Sequence, residues 1–141
     1  MAIKTYLGNP NLKAAGVILQ YTKEQVEEYV KCADDVEYFA RNYIKIVNVD
    51  RGLIPFDMWD FQAKMLHTFA NNRFSICKLP RQVGKSTTSI AYILWLILFT
   101  DQQNVAILAN KGALARDLLA KLQLAYEYLP QWLQQGVVTW N

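Results

Sequence analysis

The run Leu79-Pro80-Arg81-Gln82-Val83-Gly84-Lys85-Ser86-Thr87 concentrates the residue types that grip a phosphate. A glycine lets the backbone turn where a side chain would block a ligand. The N–H groups of Gln82, Val83, Gly84, Lys85, Ser86 and Thr87 can then point at an anion at a helix start, where the helix dipole adds partial positive charge. The Lys85 ammonium would neutralise β- and γ-phosphate charge, and the Ser86 hydroxyl would ligate Mg²⁺. This is the Gly-Lys-Ser end of a P-loop, so the ligand class it names is a nucleoside triphosphate. The pattern is degenerate, because Leu79 stands where its first glycine belongs. Arg81 lies inside the loop, and two readings stay open for it: a cation stabilising charge that develops on the γ-phosphate, or a solvated loop arginine. Gln62, upstream, has an amide able to pair with adenine N6 and N7, with Phe56 or Trp59 stacked on the ring. The other reading, which spacing alone favours, is a polar residue on a helix flank among core aromatics.

These residues need a strand before the loop and a helix after it. Phe74 to Leu79 supplies an apolar run for the first and Ser89 to Phe99 for the second. Asn104 to Ala109 reads as another buried strand, followed by a helix from Lys111-Gly112 to about Leu129-Pro130. Val137 to Asn141 looks like the start of a third strand. Strand–helix–strand–helix at this spacing predicts an α/β fold with a parallel sheet flanked by helices.

Upstream, Thr22-Lys23-Glu24-Gln25 is a capping-box signature and Asp34-Asp35 can cap a second helix. Ile44 to Val49, the turn Asp50-Arg51-Gly52 and Leu53 to Phe56 suggest a hairpin, and Trp59 to Ala70 a further helix. The expected organisation is an N-terminal arm over 1–21, extended or loosely ordered, then a helical segment and hairpin over 22–58. The N-terminal half of a P-loop ATPase domain follows over 59–141.

The chain has 141 residues, 52% of them hydrophobic, and a formal charge of +3, enough for one domain with a core. The small charge excess permits nucleic-acid contact without arguing for it. Cys32 and Cys77 have no metal-site spacing, and reduced intracellular thiols, one on a helix and one in a buried strand, are the expectation. His67, the only histidine, reads as a surface or half-buried helix residue. The apolar Ile90 to Phe99 is too short for a membrane span, and no secretory signal is evident. Downstream of Lys85 the acids are Asp101, Asp117 and Glu127, none at the carboxyl end of an expected strand, where a hydrolase would hold its metal.

The stretches FDMWDFQAKML, NRFSICKLPRQVGKSTT, NVAILANKGALARDLL and LPQWLQQGVVTWN, with KCADDVEYFARNYIKIVNVDRGLIPF before them, resemble the large terminase subunit of tailed bacteriophages of the T-even type. The resemblance covers about residues 22 to 141. It implies a helicase-related P-loop ATPase domain that drives viral double-stranded DNA into a capsid in the host cytoplasm, with the portal protein and the small terminase subunit as partners. Carried over, Gln62 resembles the adenine-reading glutamine, Lys85 and Ser86 the phosphate and Mg²⁺ residues, and Arg81 the arginine acting on the γ-phosphate of ATP. The family's Walker B acids, catalytic glutamate and nuclease domain would lie beyond Asn141. The expectation is therefore an N-terminal piece, incomplete as a hydrolase alone and completed by a second chain. The alternatives are a nucleotide-binding or interaction module that does not hydrolyse, a helicase-like ATPase outside packaging, or a remnant that does not fold alone.

Overall fold

The computed structural model describes residues 4–48 and 50–140. Five α-helices dominate them: α1 (Lys23–Asp34), α2 (Val36–Tyr43), α3 (Asp60–Asn71), α4 (Lys85–Phe99) and α5 (Gly112–Glu127). One antiparallel hairpin, β1 (Lys45–Asn48) with β2 (Gly52–Pro55), pairs Lys45 with Pro55 and Asn48 with Gly52.

Local signals fix the first helices. The Thr22 hydroxyl accepts from Gln25 N–H at 3.2 Å, and the Gln25 amide oxygen accepts from Thr22 N–H at 3.1 Å. Two donors that would otherwise lack partners at the start of α1 are thereby satisfied. Asp35 ends α1 and starts α2, its carboxylate accepting from Glu37 N–H and Tyr38 N–H at 2.8 and 3.1 Å. A cap of this kind contributes about 1 kcal/mol. The hairpin forms as expected, though Val49, at the end of its expected first strand, lies outside the described residues.

Helix α4 packs against α2, α3 and α5, burying Ile90, Ala91, Leu94 and Leu98 among Phe39, Leu66 and Ala125. The Trp95 indole N–H donates to Cys32 C=O at 2.8 Å, tying α4 to α1.

The expected parallel-sheet P-loop core is not present. Residues 74–79 and 104–109 run without secondary structure and make no backbone hydrogen bond to one another or to any other described segment. The expected third strand makes a single parallel bridge, Val137 to Ala14, and Asn141 lies outside the described residues. The fold is α-rich with one two-stranded antiparallel sheet. The physical reason lies in the faces of the two runs. Parallel ladders are stable when buried on both sides and extended across several strands. Here Phe74 is 83% exposed, Ile76 100% and Leu108 90%, so nothing covers the outward side. Cys77, expected in a buried strand, is exposed.

The segment before α1, expected to be loosely ordered, is tied down from Lys4 to Ala15; Met1 to Ile3 lie outside the described residues. Ala15 N–H donates to Val137 C=O at 3.0 Å and Val137 N–H to Lys13 C=O at 2.9 Å. Leu12 and Lys13 are buried there.

Candidate functional site

The loop ahead of α4 turns through two left-handed residues, Gln82 at φ 59° and Gly84 at φ 71°. Gly84 is the residue from which α4 starts, at ψ 18°. A left-handed glycine there sends Lys85 directly into the helix, whose start at the Gly-Lys-Ser turn is where the sequence placed it. Thr88, fully buried, closes the first turn: its N–H and its hydroxyl each donate to Gly84 C=O at 3.0 Å. The N–H groups of Lys85, Ser86 and Thr87 precede any carbonyl the helix can offer. They form the positive end of a fifteen-residue helix.

Of the expected site residues, Arg81, Gln82, Lys85 and Ser86 are exposed, and Val83, Gly84 and Thr87 half-buried. The Lys85 ammonium donates to Pro80 C=O at 3.3 Å, folding back over its own loop. Neither Lys85 nor Arg81 is ion-paired among the described residues. Lys85 and Ser86 line an open groove of about 310 Å³ together with Ser75, Cys77, Ser89 and Ile107.

Gln62 is brought to the loop, but not as a free base reader. It is 5% exposed, its amide oxygen accepting from Trp59 N–H at 3.0 Å and its Nε2 donating to Val83 C=O at 3.1 Å. Both ends of the amide hold backbone, so the residue braces the loop against the start of α3. A Cβ added to Gly84 would collide with Gln62 Nε2, a second reason for glycine there. Phe56 is buried in the core and offers no face to a ligand, while Trp59 lies exposed, tilted against Phe61 at 5.6 Å between ring centres.

The acids are elsewhere. Asp117 pairs with Lys121 at 2.9 Å, and Glu127 accepts from Asn9 at 3.5 Å. For Mg²⁺ the groove offers serine hydroxyls, that of Ser86 among them, and no carboxylate, which falls short of a magnesium site made by protein groups alone. Among the described residues no cluster of His, Cys, Asp and Glu could hold a metal, and no helix is long and apolar enough to cross a membrane.

Four participants escaped the sequence reading. Thr88 and Pro80 act through backbone contacts that the motif does not specify. Ser75 and Cys77 reach the groove because they alternate with the outward Phe74 and Ile76. Comparison of the chain with protein-family models returns no match.

Proposed function

We propose that this chain binds the phosphates of a nucleoside triphosphate, as the ATP-binding part of a motor that packages viral double-stranded DNA. The observation that carries the reading is the left-handed Gly84 opening α4 directly into Lys85 and Ser86, with free helix N–H groups and, beside a groove, an ammonium bonded to the Pro80 carbonyl and to no carboxylate among the described residues. A triphosphate is the anion that uses all of these donors together. In this reading the loop N–H groups and Lys85 hold the β- and γ-phosphates, and Arg81 swings onto the γ-phosphate. Ser86 contributes one oxygen to Mg²⁺ arriving with ATP. The packaging role, the host-cytoplasmic setting and the portal and small-subunit partners rest on the sequence resemblance.

A second reading, nucleotide binding without turnover, is favoured by the absence of any carboxylate among the groove residues. Without one, nothing in the groove holds a metal ion or orients an attacking water. Both readings require the phosphate site.

Calorimetry with a non-hydrolysable ATP analogue and Mg²⁺, on wild type and Lys85→Ala, tests it. Micromolar binding lost in the variant supports the phosphate site. No binding by a wild-type chain with its full helical signal overturns it. Phosphate release from ATP, measured on the same samples, separates the two readings.

A further inference from the structure

Lys13, Tyr21, Val26, Tyr29, Leu133 and Gln135 line a pocket of about 350 Å³ that shares no residue with the groove beside Lys85. The backbone pins Lys13 there. Its N–H donates to Gln134 Oε1 at 3.0 Å, and its C=O accepts from Val137 N–H at 2.9 Å. The residue is 6% exposed. Lysine is almost never buried this far without a partner. Yet the Lys13 ammonium has no ion pair and no hydrogen bond among the described residues. No described carboxylate lines the pocket. Burial lowers the Lys13 pKa from its ordinary 10.5, and no acid opposes that shift. Asp101 acts instead on Tyr29, whose hydroxyl is raised by burial first, then by Tyr21 and Asp101. A cation kept this way is unfavourable until an anion meets it.

The other walls decide what carries the anion. Tyr29 commits its hydroxyl to Leu98 C=O at 3.4 Å, and Gln135 commits its Nε2 to the same carbonyl at 3.0 Å. Gln134 Nε2 is held by the Asn11 and Leu129 carbonyls. Among the described residues, Lys13 is therefore the pocket's one charged donor, set beside two tyrosine rings, Val26 and Leu133. A bare inorganic anion would leave those apolar walls wet. Mostly apolar walls, one placed charge and a volume within the range of about 300–1,000 Å³ are the features of a small-molecule pocket.

We propose that this pocket binds a small organic carboxylate, its acid group on the Lys13 ammonium and its apolar body against Tyr21, Val26 and Leu133. The proposal goes beyond the nucleotide reading and does not depend on it.

Ligand-observed NMR on the full chain, without nucleotide, tests it with 3-phenylpropionate as the probe. The neutral alcohol of the same skeleton and the corresponding amine are the controls. The acid is expected to bind saturably, and both controls at least about tenfold more weakly. Lys13→Met, which keeps the length of the stem, should weaken the acid by a similar factor. It should also be at least as stable in urea as wild type, because it removes a buried charge that has no partner. Val26→Glu, at a half-exposed position, sets a like charge beside the bound acid and should weaken it too, whether or not Lys13→Met folds. Lys64→Met, on an exposed position of α3, should leave binding unchanged.

Absence of saturable binding by the folded wild-type chain overturns the proposal. So does equal binding of the alcohol, or undiminished binding by Lys13→Met or Val26→Glu. A loss of urea stability in Lys13→Met also overturns it, by showing that the ammonium is held within the fold. A peptide with one central Glu flanked by glycines that binds as tightly as the probe overturns it in favour of a protein carboxylate.

Discussion

Gln62 Nε2 donates to Val83 C=O at 3.1 Å, and that one bond couples the first turn of α3 to the loop that starts α4. The Gln62 amide oxygen is held by Trp59 N–H, so the amide cannot turn to follow the loop without losing a partner. The loop's shape therefore depends on a residue outside the motif. Gln62→Ala is expected to lower stability by about 1–3 kcal/mol, the cost of stranding a buried polar partner. It should also weaken binding of an ATP analogue while leaving helix content intact. Urea denaturation and calorimetry on the variant check both parts. Unchanged stability would remove the brace.

Gly84→Ala meets two penalties at once. The left-handed backbone at φ 71° costs a residue with a Cβ about 1–2 kcal/mol, and that Cβ collides with Gln62 Nε2. The second penalty disappears when Gln62 is shortened. A double-mutant cycle of Gly84→Ala with Gln62→Ala should thus show coupling, the pair being less damaging than the sum of its parts. Simple additivity in urea midpoints would mean that the two side chains do not share the space.

How far this was legible in the sequence follows from the range of each determinant. Helices α1 and α2 were readable because Thr22, Gln25 and Asp35 act on backbone groups within three residues of themselves. The hairpin was readable from its turn. The parallel sheet was misread because the runs at 74–79 and 104–109 are apolar enough to be strands, but apolarity says nothing about whether a neighbour exists to pair with them. Gln62 was read for its side-chain chemistry. Its bond to Trp59 N–H is half of a capping box, concealed because tryptophan offers no oxygen for the other half. The docking of the N-terminal segment depends on residues more than a hundred positions away, such as Gln134, and leaves no local periodicity.

The Glu37 carboxylate joins α2 to α3. It accepts from His67 at 2.8 Å and from Arg41 at 2.8 Å, and these contacts, the His67 hydrogen bond first, lower its pKa from the ordinary 4.5. A carboxylate depressed on folding stabilises the native state above its unfolded value. That contribution is lost as pH falls through the lower, folded value. Urea midpoints should therefore drop between pH 6 and pH 3 in wild type, and drop less in Glu37→Gln. Parallel curves for the two proteins would show that the contact adds no pH-linked stability.

The two thiols should separate chemically. Burial pushes the Cys32 thiol up to about 12, while Cys77 is exposed. Native protein treated with iodoacetamide at pH 8 is expected to take up one label, at Cys77, and denatured protein two. Cys77→Ser should remove the native label. Mass spectrometry of the labelled chain decides it, and early labelling at Cys32 would place α1 and α4 less tightly together than described.

Gln134 fastens the N-terminal segment. It is 2% exposed, its amide oxygen accepting from Lys13 N–H at 3.0 Å and its Nε2 donating to Asn11 C=O at 2.7 Å and Leu129 C=O at 3.0 Å. Gln134→Ala strands one donor and two acceptors, at about 1–3 kcal/mol for each group that water cannot reach. Amide exchange at Lys13 and Ala15 should then accelerate well beyond exchange in α4, because the strap opens before the helices do. Gln134→Glu keeps the acceptor for Lys13 but turns a carboxylate oxygen toward two carbonyls. It should therefore be at least as damaging at pH 7 and partly recover as the carboxylate is protonated. If exchange at Lys13 stays as slow as in wild type in both variants, the segment is held by its backbone pairing with Val137, and the Gln134 amide is incidental.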